Sequence, residues 1–248
     1  MTRDEILAVV AGHVSYLRAR GAVDGDDWVS CAALASDPAI LTGVVRATMA
    51  GFGTDDEAVA ASLFAQAYAF RVAGVALAAF ALDLPVPDVS AGATAVRIDK
   101  PRPSAVAYLN PEVRRRRATQ LVDELVEQHF GGFVAAVHAV FRVGERLLWG
   151  DVAASCAVAF RAVESSGADG SAVRARSEVF VAAAAARFEG LGSFTTVRDG
   201  SREGWYWDRT SCCLWFRTRS AQFCDNCSLI DASELSAQRV RELAGAET

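Results

Sequence analysis

Histidine is scarce in this sequence, three in 248 residues. His13, His129 and His138 all fall in helix-patterned segments far from the cysteines, so a mixed cysteine–histidine centre of the Rieske kind has no ligands to draw on. Basic charge is not in excess either: 25 Lys+Arg face 30 Asp+Glu for a net −5, which lacks the electrostatic footprint of a nucleic-acid-binding protein. The opening Met1-Thr2-Arg3-Asp4-Glu5 places two acids where a secretory signal carries positive charge, and no uninterrupted apolar stretch with a cleavage site follows. The expectation is a cytoplasmic chain with no nucleic-acid partner and at most peripheral membrane contact. No repeat or low-complexity tract stands out beyond an alanine bias. A hydrophobic fraction of 52% with 22% charged residues argues against disorder, and the length allows a substantial core.

What is present begins with helical patterning. Residues 4–18 place Ile6, Val9, Val10, His13 and Leu17 on one face behind a Thr2–Glu5 capping box, which predicts an amphipathic helix. Thr54-Asp55-Asp56-Glu57 opens an apolar run that reaches Leu84 and is stopped by Pro85 and Pro87. Between Ala58 and Leu82 the only charge is Arg71, so a membrane span has to be weighed. A central arginine costs about 2.5–3.5 kcal/mol on insertion scales, which makes a buried central helix the better reading.

Thr94–Asp99 and Ala105–Tyr108 read as two short strands. Asn110-Pro111 reads as the start of a helix through Arg114–Arg117 toward His129, broken at Gly131-Gly132. A further helical run leads through Leu148 toward Phe160, and another helix spans roughly 171–188. Trp205-Tyr206-Trp207 is strand-like, and Asp231-Ala232-Ser233-Glu234 caps a last helix. The fold class expected is α+β, predominantly helical with a small antiparallel sheet, and a cysteine-bearing loop between a C-terminal strand and the last helix. An N-terminal helical region, 1–90, and a mixed α+β region, 91–248, describe the organisation, either as two parts or as one compact domain.

Six cysteines in a reducing compartment point away from a disulfide framework. Cys31 and Cys156 stand alone in alanine-rich surroundings and read as small hydrophobes. Cys212, Cys213, Cys224 and Cys227 form Cys-Cys, ten residues, Cys-x-x-Cys. Four thiolates suit an iron–sulfur cluster, and the count alone also admits zinc. Structural zinc sites usually use two separated C-x₂₋₄-C pairs, to which a vicinal pair is poorly suited, so the spacing favours iron–sulfur while leaving zinc open. Neighbouring side chains on a strand point to opposite faces, so Cys212 and Cys213 reach one centre only if the backbone turns there.

The string Arg209-Thr210-Ser211-Cys212-Cys213-Leu214-Trp215-Phe216-Arg217, closed by Cys224-Asp225-Asn226-Cys227, resembles the C-terminal signature of the FhuF-type ferric-siderophore reductases. Trp149-Gly150-Asp151-Val152-Ala153 resembles an upstream Trp-Gly-Asn-x-Ala element of that family, with Asp151 in place of asparagine. The resemblance implies a [2Fe–2S] cluster on Cys212, Cys213, Cys224 and Cys227 that reduces iron(III) in a siderophore complex. It also implies an electron donor such as a ferredoxin or a flavin/NAD(P)H reductase, and no catalytic residue beyond the cluster. Arg217, Trp215, Trp205 and Trp207 are the candidate substrate contacts. The competing readings are a helical interaction protein with structural zinc, or a cluster-bearing electron carrier or sensor with another acceptor.

Overall fold

The capping box at the start of the chain forms as its residues dictate. Glu5 N–H donates to the Thr2 hydroxyl and the Glu5 carboxylate accepts from Thr2 N–H, opening α1 (Arg3–His13). The computed structural model describes residues 1–99 and 101–245. Helix α1 ends short of residue 18 because the chain leaves helical geometry at Val14 and runs on into β1 (Ala19–Arg20), which pairs with β5 (Ala105–Tyr108).

Strand β2 (Trp28–Ser30) leads into α2 (Cys31–Ser36) and α3 (Pro38–Phe52). Asp37 caps α3 ahead of a proline at the first helical position, where no N–H is missed. Asp56 caps α4 (Glu57–Ala81) by accepting from the Ala58 and Val59 N–H groups. This helix is long and apolar enough to cross a membrane, and 72% of its apolar window is buried inside the protein. It is the central core helix.

The sheet has the order β1-β5-β4-β2, with β4 (Thr94–Arg97) antiparallel to both neighbours. Its β1 edge is parallel, so the sheet expected to be antiparallel is mixed on one side.

The helix expected after Asn110-Pro111 does not form. Asn110 instead accepts from Glu112 N–H and donates to Asp88. Val113–Arg114 (β6) then pairs with Val86–Pro87 (β3). Strand pairing thus takes the first basic residues, and Arg116 is held by Glu124 and the Val86 carbonyl. The helix begins only at α5 (Ala118–Leu121), passes through a π-helical stretch at Val122–Phe130 and continues into α6 (Gly131–Phe141). Gly131 keeps helical angles, so the expected break at the glycine pair is absent. The break comes instead at Arg142, in left-handed geometry.

Helix α7 (Glu145–Glu164) packs along α4. The segment expected as one helix over 171–188 is α8 (Gly170–Ala183) and α9 (Ala185–Phe188), separated at Ala184. A hairpin of β7 (Gly192–Asp199) and β8 (Arg202–Arg209) follows, and Asp231 caps α10 (Ala232–Gly245). One hydrophobic core crosses residue 90 without interruption, joining Phe64 and Tyr68 of α4 to Phe133 of α6 and Phe160 of α7.

His129, on the π-helical stretch, is 2% exposed and bonded at 2.6 Å to both the Tyr68 hydroxyl and the Val89 carbonyl. Burial pushes its pKa down to about 4. The unfolded chain therefore binds a proton below about pH 6.5 that the folded chain refuses until about pH 4. Stability is expected to fall by about 3 kcal/mol as pH drops across that interval. Urea midpoints between pH 7 and pH 4 for the parent and His129→Gln check this: the substitution should flatten the slope, and an equal slope in both proteins would remove His129 as its source.

Candidate metal centre

Helices α4 and α7 lie side by side and present Ser62 and Asp151 to the loop that leaves β8. Arg209, the last residue of β8, donates to Asp151 Oδ1 at 2.6 Å, and both side chains are fully buried. Its Nε donates to the Ser211 carbonyl. The Ser62 hydroxyl lies 2.8 Å from Asp151 Oδ2 and 3.0 Å from the Cys213 carbonyl oxygen, so its one proton serves two acceptors. Burial pushes Asp151 up to about 7 while Arg209 pulls against it. A guanidinium does not deprotonate, so Arg209 is the fixed charge that draws Asp151 toward its ionised form. Gly150 completes the platform: a Cβ there would overlap the Ser211 hydroxyl and stand 3.0 Å from its Cβ, so only glycine lets the loop lie this close to α7.

The turn demanded by the vicinal pair is present. Leu214 adopts φ +64°, a left-handed conformation that non-glycine residues rarely take, and its N–H points back at Cys212 Sγ at 3.3 Å. A short 3₁₀ turn, Trp215–Arg217, follows, and the return limb brings Cys224 Sγ to 3.5 Å from Cys213 Sγ. All four thiols are free. Cys213 and Cys227 are buried, Cys212 and Cys224 half-buried. Contact between the Cys213 and Cys224 thiols, helped by the Arg209 charge, holds the Cys213 pKa below the usual thiol range. The same contact raises that of Cys224.

Two unpartnered donors suit this quartet to an anionic sulfur-rich group. Arg209 Nη1 and Ser211 Oγ are buried with no hydrogen-bond partner among the described residues, at the root of the loop that carries the thiols, and the Arg209 charge bears on Cys213 and Cys224.

Residues 209–229 match the family model of the FhuF 2Fe-2S C-terminal domain. The four cysteines fit its motif, and the chain carries a [2Fe–2S] cluster. No curated protein matches the chain. The FhuF-type match spans the loop with its two short flanks, so the α4–α7 platform beneath it is known from the structure and not from the comparison.

The residues expected at the substrate are dispersed. Trp205 stacks on Phe194 at 3.6 Å and Trp207 meets the same ring edge-on at 4.9 Å. Both are under 5% exposed, so most of each ring packs inward, and Trp207 also lines a small cavity of about 210 Å³ beside Cys224. Arg217 is half-exposed and paired with Asp56 at 2.7 Å, tying the loop to the cap of α4. Trp215 meets Phe52 of α3 edge-on at 5.2 Å and lines a cleft of about 550 Å³ that Cys224 also lines. Sequence reasoning left Ser62 unremarked and gave Arg209 no role. Gly150-Asp151, inside the upstream element, was the available signal for the platform.

Proposed function

We propose that this protein is a cytoplasmic ferric-siderophore reductase. The observation that carries the reading is the meeting of Cys224 with an open cleft of about 550 Å³, a volume suited to a ligand of siderophore size. Cys212, Cys213, Cys224 and Cys227 would hold the cluster, which supplies a one-electron couple: iron(III) in the chelate becomes iron(II), and an external donor, a ferredoxin or a flavin/NAD(P)H reductase, returns the electron. Hard oxygen donors bind iron(II) far more weakly than iron(III), so reduction is release.

The chain's own residues set the conditions. Arg209 places a buried positive charge beside the thiols, with Asp151 opposing it across the ion pair, and such charges and hydrogen bonds to sulfur tune a cluster's potential. Ser62 fixes the Cys213 carbonyl, and the Leu214 N–H supports Cys212. Cys224, facing the cleft, gives the shortest route to a bound chelate. No side chain has to act as acid, base or nucleophile.

Anaerobic mixing of the dithionite-reduced protein with ferric siderophores and an iron(II)-specific chelator tests this. The visible spectrum should return to that of the oxidised protein as the iron(II) complex appears in equal amount. If no siderophore reoxidises the protein, the chain is an electron carrier or sensor with another acceptor.

A further inference from the structure

The cleft is built mostly by residues outside the loop. Helix α4 contributes Leu63, Gln66, Ala67, Phe70 and Arg71, spaced at three and four residues so that they form one stripe along the helix. Arg71 is the single charge on α4 between Ala58 and Leu82, and among the described residues its guanidinium donates only to backbone carbonyls, at Tyr16 and Pro103. Arg102 lines the same cleft. Neither arginine has a carboxylate partner among the described residues, and Arg102 and Arg18 both bear on Arg71 as like charges. The protein carries a net charge of −5, so a doubled positive charge beside the cluster loop runs against its overall field. Aromatic surface from Phe52, Phe70, Trp215 and Phe223 faces the same space. Among the described residues, Asp225 is the one carboxylate on the lining, adjacent in sequence to Cys224.

Two uncompensated guanidiniums beside aromatic rings suit a ligand that is both anionic and aromatic. Planar guanidinium groups bind oxyanions and stack on rings, and aromatic side chains take ring faces and edges. We propose that this cleft selects negatively charged ferric chelates with aromatic donor rings, the tris-catecholate class, over neutral tris-hydroxamates. The proposal rests on the reductase reading and names its substrate class. Arg71 and Arg102 are binding residues, and Phe70 and Trp215 are ring contacts.

The gallium(III) forms of the two chelates carry the same charges as the iron(III) forms and accept no electron, so binding is measured apart from turnover. Calorimetric titration of the full-length, cluster-loaded protein should show the gallium tris-catecholate binding at least about tenfold more tightly than the neutral gallium tris-hydroxamate at low salt, with the advantage shrinking as salt rises. Arg102→Glu, on an exposed loop, should erase that advantage and leave the hydroxamate unaffected. Arg71→Gln should do the same, but it also releases the Tyr16 and Pro103 carbonyls, so its melting temperature is taken alongside. Equal affinities for the two chelates, or an unchanged preference in Arg102→Glu, would overturn the assignment. The two readings fail separately: hydroxamate reduction without catecholate binding sinks only the selectivity, whereas Arg102-dependent catecholate binding with no ferric chelate reduced sinks only the reductase.

Discussion

Asp151→Ala is expected to cost about 3–5 kcal/mol of stability, because it leaves the buried Arg209 guanidinium without its counter-charge. The same change takes from Ser62 the carboxylate that shares its proton with the Cys213 carbonyl, so the loop loses its anchor on α7 together with the charge balance. Asp151→Asn should be milder, about 1–3 kcal/mol, since an amide oxygen still accepts from Arg209. Pairing Asp151→Ala with Arg209→Met removes the stranded charge and should recover part of the loss, as replacing both members of a buried pair often does. Anaerobic denaturant titrations of the four proteins decide it. If Asp151→Ala stays within about 1 kcal/mol of the parent, the pair is not the keystone its geometry implies.

The second large effect concerns metal content. Cys213→Ala or Cys227→Ala should reduce iron from about two per chain to almost none and abolish the visible absorption, since each removes a ligand from a four-thiolate set. Cys31→Ala and Cys156→Ala should leave iron and colour in place, because those thiols sit in the core, where burial raises both pKa values. The ligand variants should remain folded. Cys31 and Cys156 belong to the main hydrophobic core and the four loop cysteines do not, so the helices do not depend on the metal as a zinc finger's do. Far-UV circular dichroism beside iron analysis separates these outcomes. A colourless parent protein with one zinc per chain would overturn the cluster assignment itself.

Much of this was legible in the residues. The Cys-Cys-x₁₀-Cys-x₂-Cys spacing pointed to the centre, and the Thr2–Glu5 box and the Asp56 and Asp231 caps sit where helices begin, because a capping side chain and the N–H it satisfies are only two or three residues apart. The failures have a common cause. Asn110-Pro111 carries every local mark of a helix start, yet a distant partner, Val86–Pro87, captures the following residues as a strand. Trp205 and Trp207 on β8 were candidate substrate contacts, and Phe194 on the facing strand, whose ring packs against both tryptophans, is a partner their own segment does not announce. The ion pair between Asp151 and Arg209 joins residues 58 apart, and no local pattern encodes such a partnership. Arg71 was visible as an oddity, a lone charge in an apolar helix, but its meaning depended on Arg102 arriving beside it from another segment.

The platform also fixes an order of events during synthesis. Ser62, Gly150 and Asp151 all precede Cys212 in the chain, and chains emerge N-terminus first at roughly 5–20 residues per second. Helices α4 and α7 can therefore pack before the first loop thiol leaves the ribosome, and Asp151 waits several seconds for Arg209. During that interval an unpaired buried aspartate favours its protonated form. The arrival of Arg209 then opposes that effect of burial as the loop docks, so charge, turn and thiols come last, to a platform already packed.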